Sequence, residues 1–133
     1  MTTPFDPTRR TIVVPTQLAG PTRVVTVNLL LDTGASDTFI QEPKLLTAGY
    51  DPAAATGQYT VATPSGFIGV LEFRVLAFTA LGRVRVDFPI LAHTFPPGTG
   101  HDGVLGLDFF RGNVLTIDFV MGEITLTPGG PTP

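Results

Sequence analysis

The stretch best equipped for chemistry is Leu29-Leu30-Leu31-Asp32-Thr33-Gly34-Ala35-Ser36-Asp37-Thr38-Phe39-Ile40, where a carboxylate follows an apolar run and opens a small polar turn. Apolar flanks strip water from a carboxylate, so hydrogen bonds or a second group must compensate, and an acid placed this way is suited to proton transfer. Gly34 admits a positive φ or the close approach of another backbone. A bare Asp-Thr-Gly also makes an ordinary Asx turn in which Asp32 only caps its own loop. Here a β-branched run from Arg23 aims Asp32 out of a strand end, and Thr38-Phe39-Ile40 turns back into the core.

The remaining chemistry-capable side chains are sparse. His93 and His101 are the only imidazoles, and with no cysteine in the chain they make, even with Asp102, a poor metal-ligand set; a loop role is expected. The absence of cysteine also excludes disulfides, thiolate metal sites and cysteine nucleophiles. Asp108 and Asp118 are expected to hydrogen-bond locally, and Tyr59 to fill the core. Arg83 and Arg85, alternating with valines and followed by Asp87, predict a solvated strand face with no function.

These residues must be held by a mainly β framework. Fifteen glycines and thirteen prolines, spread among short Val/Ile/Leu/Thr/Phe runs, indicate many short strands joined by turns. Thr11–Leu18 and Arg23–Leu31 predict a hairpin whose second strand delivers Asp32, with Val25, Val27, Leu29 and Leu31 on one face. Glu42 to Gly49, with an early proline and a closing glycine, predicts one short helix. Gln58–Ala62 and Phe67–Leu71 flank the turn-forming Thr63-Pro64-Ser65-Gly66. A last hairpin is predicted from Val114–Phe119 and Ile124–Thr127, and residues 1–10 and 128–133 read as mobile tails around a domain at 11–127.

At 133 residues the chain suits one domain with a substantial core. It is 43% apolar and only 14% charged, and extra apolar surface of this kind suggests a partner subunit. A net charge of −3 without a Lys/Arg cluster argues against nucleic acid or an anionic membrane as partner. No stretch has the features of a signal peptide or the length of a membrane span, so a soluble, cytoplasmic protein is expected.

The Asp32 loop with its flanks resembles the catalytic loop of aspartic proteases. A second stretch, His101-Asp102-Gly103-Val104-Leu105-Gly106-Leu107-Asp108-Phe109-Phe110, is similar to the family's second signature, two apolar residues and a glycine before a short helix. One such loop on a short chain, with the order and spacing of residues 11–127, resembles the retropepsin-like, single-lobe members. The resemblance implies an all-β closed, orthogonal barrel with one or two short helices, assembling as a two-fold homodimer. It implies a peptide hydrolase in which Asp32 from each copy forms the dyad, without metal or cofactor. Thr33 would brace the two loops across the axis, and Gly34 would accept substrate backbone at its carbonyl. Ala35, Ser36 and Asp37 would border the substrate, and Ala62, Thr63, Pro64, Ser65 and Gly66 would form a flap over it. Gly106 would let chains pack without an intervening side chain. Viral members commonly carry a carboxylate and an arginine where this chain has Ser36 and Leu107, so that ion pair is absent. Two alternatives stand beside hydrolysis of a peptide or protein: a peptide-binding or assembly module of the same fold without turnover, and a silent barrel.

Overall fold

The computed structural model describes residues 1–96 and 98–129. In chain order the elements are β1 (Thr2–Pro4), β2 (Val13–Ala19), β3 (Val24–Leu31), β4 (Phe39–Gln41), α1 (Glu42–Ala48), β5 (Gly57–Thr63) and β6 (Gly66–Ala80). They continue with β7 (Arg83–His93), β8 (Gly103–Leu105), α2 (Leu107–Phe110), β9 (Asn113–Asp118) and β10 (Glu123–Pro128). Among the described residues no helix is long and apolar enough to cross a membrane.

Strands β2, β3, β8, β4, β7 and β6 are neighbours in that order, and β2 pairs again with β6, so six strands close into a barrel. The closing seam runs from Thr16 opposite Ala80 to Ala19 opposite Ala77. Tyr50 reinforces it: its hydroxyl donates to the Ala19 carbonyl (2.6 Å) and accepts from the Leu76 N–H (2.9 Å). The strand order produces the core directly. Alternation buries Val14 and Leu18 on β2, Val27 and Leu29 on β3, and Phe73 and Val75 on β6, where the buried side then changes to include Phe78. Phe78, Phe88 and Phe109 meet with ring centroids 5.0–6.2 Å apart, which roots the four-residue α2 in the barrel. The predicted first helix is α1, with Pro43 in its first turn and Gly49 at φ 105° closing it.

Four expectations are corrected. Residues 1–10 are not simply a tail: β1 adds to β10, with Thr3 opposite Ile124, and extends the β9–β10 hairpin into a three-stranded sheet. The open backbone edge of β10 supplies what sequence pattern alone did not reveal. At the other end Pro128 still belongs to β10, while residues 130–133 of the expected tail lie outside the described residues, as does Pro97 of the loop at 94–100. The strand face of β7 is reversed from the expectation. Val84 and Val86 point outward, 59% and 75% exposed, while Arg85 lies opposite the buried Phe78 and donates to the carbonyls of Phe109 and Arg111. Those carbonyls, at the end of α2, have no intrahelical donor, so the guanidinium caps the helix. Tyr59, expected in the core, is 49% exposed because β5 is the outermost strand of its sheet and pairs only with β6.

Two glycines allow the barrel to pass β8 through its crowded middle. A Cβ on Gly103 would overlap the Phe39 carbonyl, and one on Gly106 would sit 2.5 Å from the Asp37 carbonyl oxygen. Gly103→Ala is therefore expected to destabilise the protein by about 1–3 kcal/mol or more, since the obstructing atom is backbone. Urea unfolding at equal protein concentration measures it, and a loss below about 0.5 kcal/mol would mean that β4 and β8 can separate freely.

Candidate active site

Asp32 is placed by strand pairing. β8 runs parallel to β3, with Leu31 opposite Leu105, and the Asp32 N–H continues the ladder by donating to the Leu105 carbonyl (3.1 Å). On its other side β8 runs antiparallel to β4, with Phe39 opposite Val104 and Ile40 opposite Gly103. The 32–38 loop therefore leaves one neighbour of β8 and returns as the other, wrapping around its end.

Within the loop, Asp32 Oδ1 accepts the Gly34 N–H (2.9 Å) and its carbonyl accepts the Ala35 N–H (3.2 Å). The Asx turn is thus real, and it fixes the carboxyl orientation using one oxygen; among the described residues no hydrogen bond reaches Oδ2. Gly34 does not use a positive φ, contrary to one option read from the sequence. A Cβ there would come within 3.1 Å of Asp32 Oδ1, so the glycine keeps the carboxyl uncrowded.

The start of α2 holds the rest of the loop. Leu107 N–H donates to the Ala35 carbonyl (2.8 Å) and Asp108 N–H to the Ser36 carbonyl (3.3 Å). Thr38, fully buried, donates its N–H to Asp108 Oδ2 (3.1 Å) and its hydroxyl to Asp108 Oδ1 (2.7 Å), and its hydroxyl oxygen accepts the Gly106 N–H (3.2 Å). Asp108 hydrogen-bonds as expected, but across 70 residues rather than locally. Burial pushes its carboxyl above the usual range; the Thr38 bonds pull the other way, and the nearby Asp37 charge adds to the rise.

Two concave regions meet at this loop. A cleft of about 560 Å³ is lined by Gly34, Ala35, Ser36 and Asp37 on one side and by Ala62, Thr63 and Pro64 of the β5–β6 hairpin on the other. Ser65 and Gly66, also expected to bind substrate, form the hairpin tip and do not line it. Asp32 lines a separate groove of about 410 Å³ with Phe5, Arg9, Arg10, Ile12, Leu31 and Phe119, and Thr33 is exposed between the two. Sequence reasoning missed Phe39, Val61, Ile68, His93, Phe95 and Val104 of the cleft. The Val61–Ile68 register was available from the hairpin pattern, whereas Phe95 and Val104 come from remote segments without a local signal. His101 and Asp102 line a different polar cavity, and Asp102 Oδ2 accepts the Asn28 N–H (2.8 Å), a structural contact. Among the described residues no group of three or more His, Cys, Asp or Glu side chains could hold a metal ion.

A sequence profile described as Aspartyl protease matches residues 14–109, which run from β2 into α2 and contain the first characteristic stretch and all but the last residue of the second. The chain belongs to the aspartyl protease family. Its fold is similar to that of a retropepsin-like aspartic protease from Rickettsia conorii, at a TM-score of 0.65 and 12% identity over 97% of this chain and 88% of that one. Among curated proteins none matches it. The all-β barrel with short helices is thus the retropepsin-like fold that the two stretches imply. In this aspartyl protease fold the family match ends at Phe109, so the sheet of β1, β10 and β9 lies outside it.

Asp108 carries a pH prediction. Its folded carboxyl holds a proton more tightly than an unfolded one, so its contribution to stability is full below the ordinary carboxylate range and is lost as pH rises through the raised value. Asp108→Asn removes that slope. Between pH 4 and pH 7 the urea midpoint of the variant should therefore rise relative to wild type, and parallel midpoints at both pH values would contradict the assignment.

Proposed function

We propose that the protein is an aspartic endopeptidase acting as a two-fold homodimer, in which Asp32 of each copy supplies half of the catalytic dyad. The observation that carries this reading is the setting of Asp32. Its backbone is pinned at the end of a barrel strand, its carboxyl is half-buried, and no second carboxylate lines its groove among the described residues. Water activation and carbonyl polarisation at once need two carboxyls sharing one proton, so the mate comes from a second copy of the same loop.

In this mechanism the ionised member takes a proton from a water whose oxygen attacks the scissile carbonyl carbon, while the protonated member gives its proton to the carbonyl oxygen. The tetrahedral diol collapses as the C–N bond breaks and the amine nitrogen takes up a proton. Thr33, exposed beside Asp32, braces the two loops across the axis. Gly34 offers its carbonyl to the substrate backbone. Ala35, Ser36 and Asp37 form one wall of the substrate cleft, and the hairpin tip from Ala62 to Gly66 acts as a flap. Phe39, Val61, Ile68, Phe95 and Val104 favour apolar substrate side chains in that cleft. With Ser36 and Leu107 in place of a carboxylate and an arginine, the loop relies on Asp108 and Thr38 for support.

The test is cleavage of a denatured protein or peptide library between pH 4 and 7, with and without pepstatin. Wild type should cut with a weakly acidic optimum and be blocked by pepstatin, and Asp32→Asn should lose about 100-fold or more. Activity should fall on dilution in step with a dimer seen by sedimentation. Equal rates at pH 5 and pH 9, or cleavage by a strictly monomeric species, would sink the dyad. Peptide binding without any cleavage would point to a binding module.

A further inference from the structure

The fastening of the 32–38 loop can be followed donor by donor. Thr38 has one hydroxyl proton, which goes to Asp108 Oδ1, and the hydroxyl lone pair takes the Gly106 N–H. Its own N–H goes to Asp108 Oδ2, and its carbonyl accepts the Leu91 N–H from β7 (2.9 Å). Every polar group of a fully buried residue is thereby satisfied, and both oxygens of one carboxylate serve that single residue. At the entry of the same loop Asp32 donates to Leu105, the residue just before Gly106. Entry and exit are therefore both tied to the four residues Leu105 to Asp108, and Asp108 is the only titratable side chain among those ties.

We propose that Asp108 is a positioning residue for the reaction: its two-point grip on Thr38 fixes the exit of the loop and, through it, the aim of the Asp32 carboxyl. This rests on the peptidase reading above. An ionised carboxylate accepts both Thr38 donors at full strength, whereas a protonated one is a weaker acceptor on the oxygen that carries its proton. The charged neighbours are Asp37, on the loop itself, and Arg85 of β7, whose guanidinium is engaged with the carbonyls of Phe109 and Arg111 beyond α2. Burial and Asp37 both disfavour the charge, and the two Thr38 bonds favour it.

The experiment compares wild type with Asp108→Ala, Asp108→Asn, Thr38→Val and Thr38→Ser, using peptide turnover from pH 4 to 7 and amide hydrogen exchange. Asp108→Ala and Thr38→Val should each lower kcat about 10-fold or more, with KM within about threefold, because a misaimed acid affects the transition state more than binding. The double variant should be no worse than either single one, the signature of one shared device. Thr38→Ser, which keeps the hydroxyl, should recover most of what Thr38→Val loses. The acid limb of the wild-type kcat profile should change shape in Asp108→Asn, which cannot titrate. Unchanged kcat and pH profile in Asp108→Ala and Asp108→Asn would overturn the proposal. Amide exchange decides the grip without any turnover: the Thr38 and Gly106 amides should lose protection in Asp108→Ala and keep it in Thr38→Ser. If wild type cuts nothing but this pattern holds, the peptidase reading fails and the grip stands; unchanged protection in Asp108→Ala overturns the grip itself.

Discussion

A three-residue strand caught between two partners is the constraint from which the rest of the molecule follows. β8 has β3 on one side and β4 on the other, and the 32–38 loop must cross its end to connect them. That crossing works only because Gly103 and Gly106 carry no side chain where the neighbouring backbone passes. Once β8 is seated, the backbone N–H groups of Asp32, Leu107 and Asp108 and the side chains of Thr38 and Asp108 all find partners across the same narrow gap. Each bond contributes about 1 kcal/mol net, but leaving one unmade in the buried gap would cost more than making it contributes. Rigidity at the loop is thus enforced mainly by the penalty for opening it.

Local chemistry was legible in the chain, and long-range pairing was not. The Asp32 loop, the glycine-closed α1 and the three hairpins are encoded by neighbours within a few residues, so turn chemistry and alternation located them. β6 is a different case: the sequence shows Phe67–Leu71 as a run that stops short of its 15 residues, because the buried side switches between Val70 and Phe73 and again between Val75 and Phe78, breaking the period of two. Opposite the second switch Asp87 adopts φ 50°, a kink that no local pattern announces. β1 and the inverted face of β7 failed for the same kind of reason. Thr2-Thr3-Pro4 has no strand signature of its own and is ordered only by β10, and Arg85 turns inward only because α2 ends with carbonyls to cap. In the site, the loop residues were found and the cleft's apolar lining was not, since Phe95 and Val104 reach it through tertiary packing.

The 32–38 loop borders two concavities, with Asp32 lining the groove and Gly34 to Asp37 lining the cleft. On the cleft side the loop presents small and polar groups against the hairpin, a surface suited to an extended chain. On the groove side the carboxyl shares space with Phe5 and Phe119, whose rings meet edge to face at 5.9 Å. Those two side chains belong to the segment after β1 and to the β9–β10 turn, so the outer sheet, which lies beyond the family match, builds the far wall of the groove. The two ends of the described chain therefore wall the groove that Asp32 lines, and the central hairpin walls the cleft that Gly34 to Asp37 line.

Stiffness and freedom are divided along a single strand. From Leu71 to Ala80, β6 is paired with β7, and its last residues also close the barrel on β2, so this half cannot move without opening the core. From Gly66 to Val70 it is paired only with β5, which has no other partner. Phe67 is 79% exposed there, whereas Phe73 and Phe78 further along are buried. Elements with few buried contacts open at a small fraction of the global unfolding free energy, while those in a closed barrel open only with the whole. The hairpin facing Gly34–Asp37 across the cleft is consequently the low-cost degree of freedom, and the loop bearing Asp32 the high-cost one. That ordering is what a site needs if it must admit a chain and still keep an acid fixed to within a fraction of an ångström.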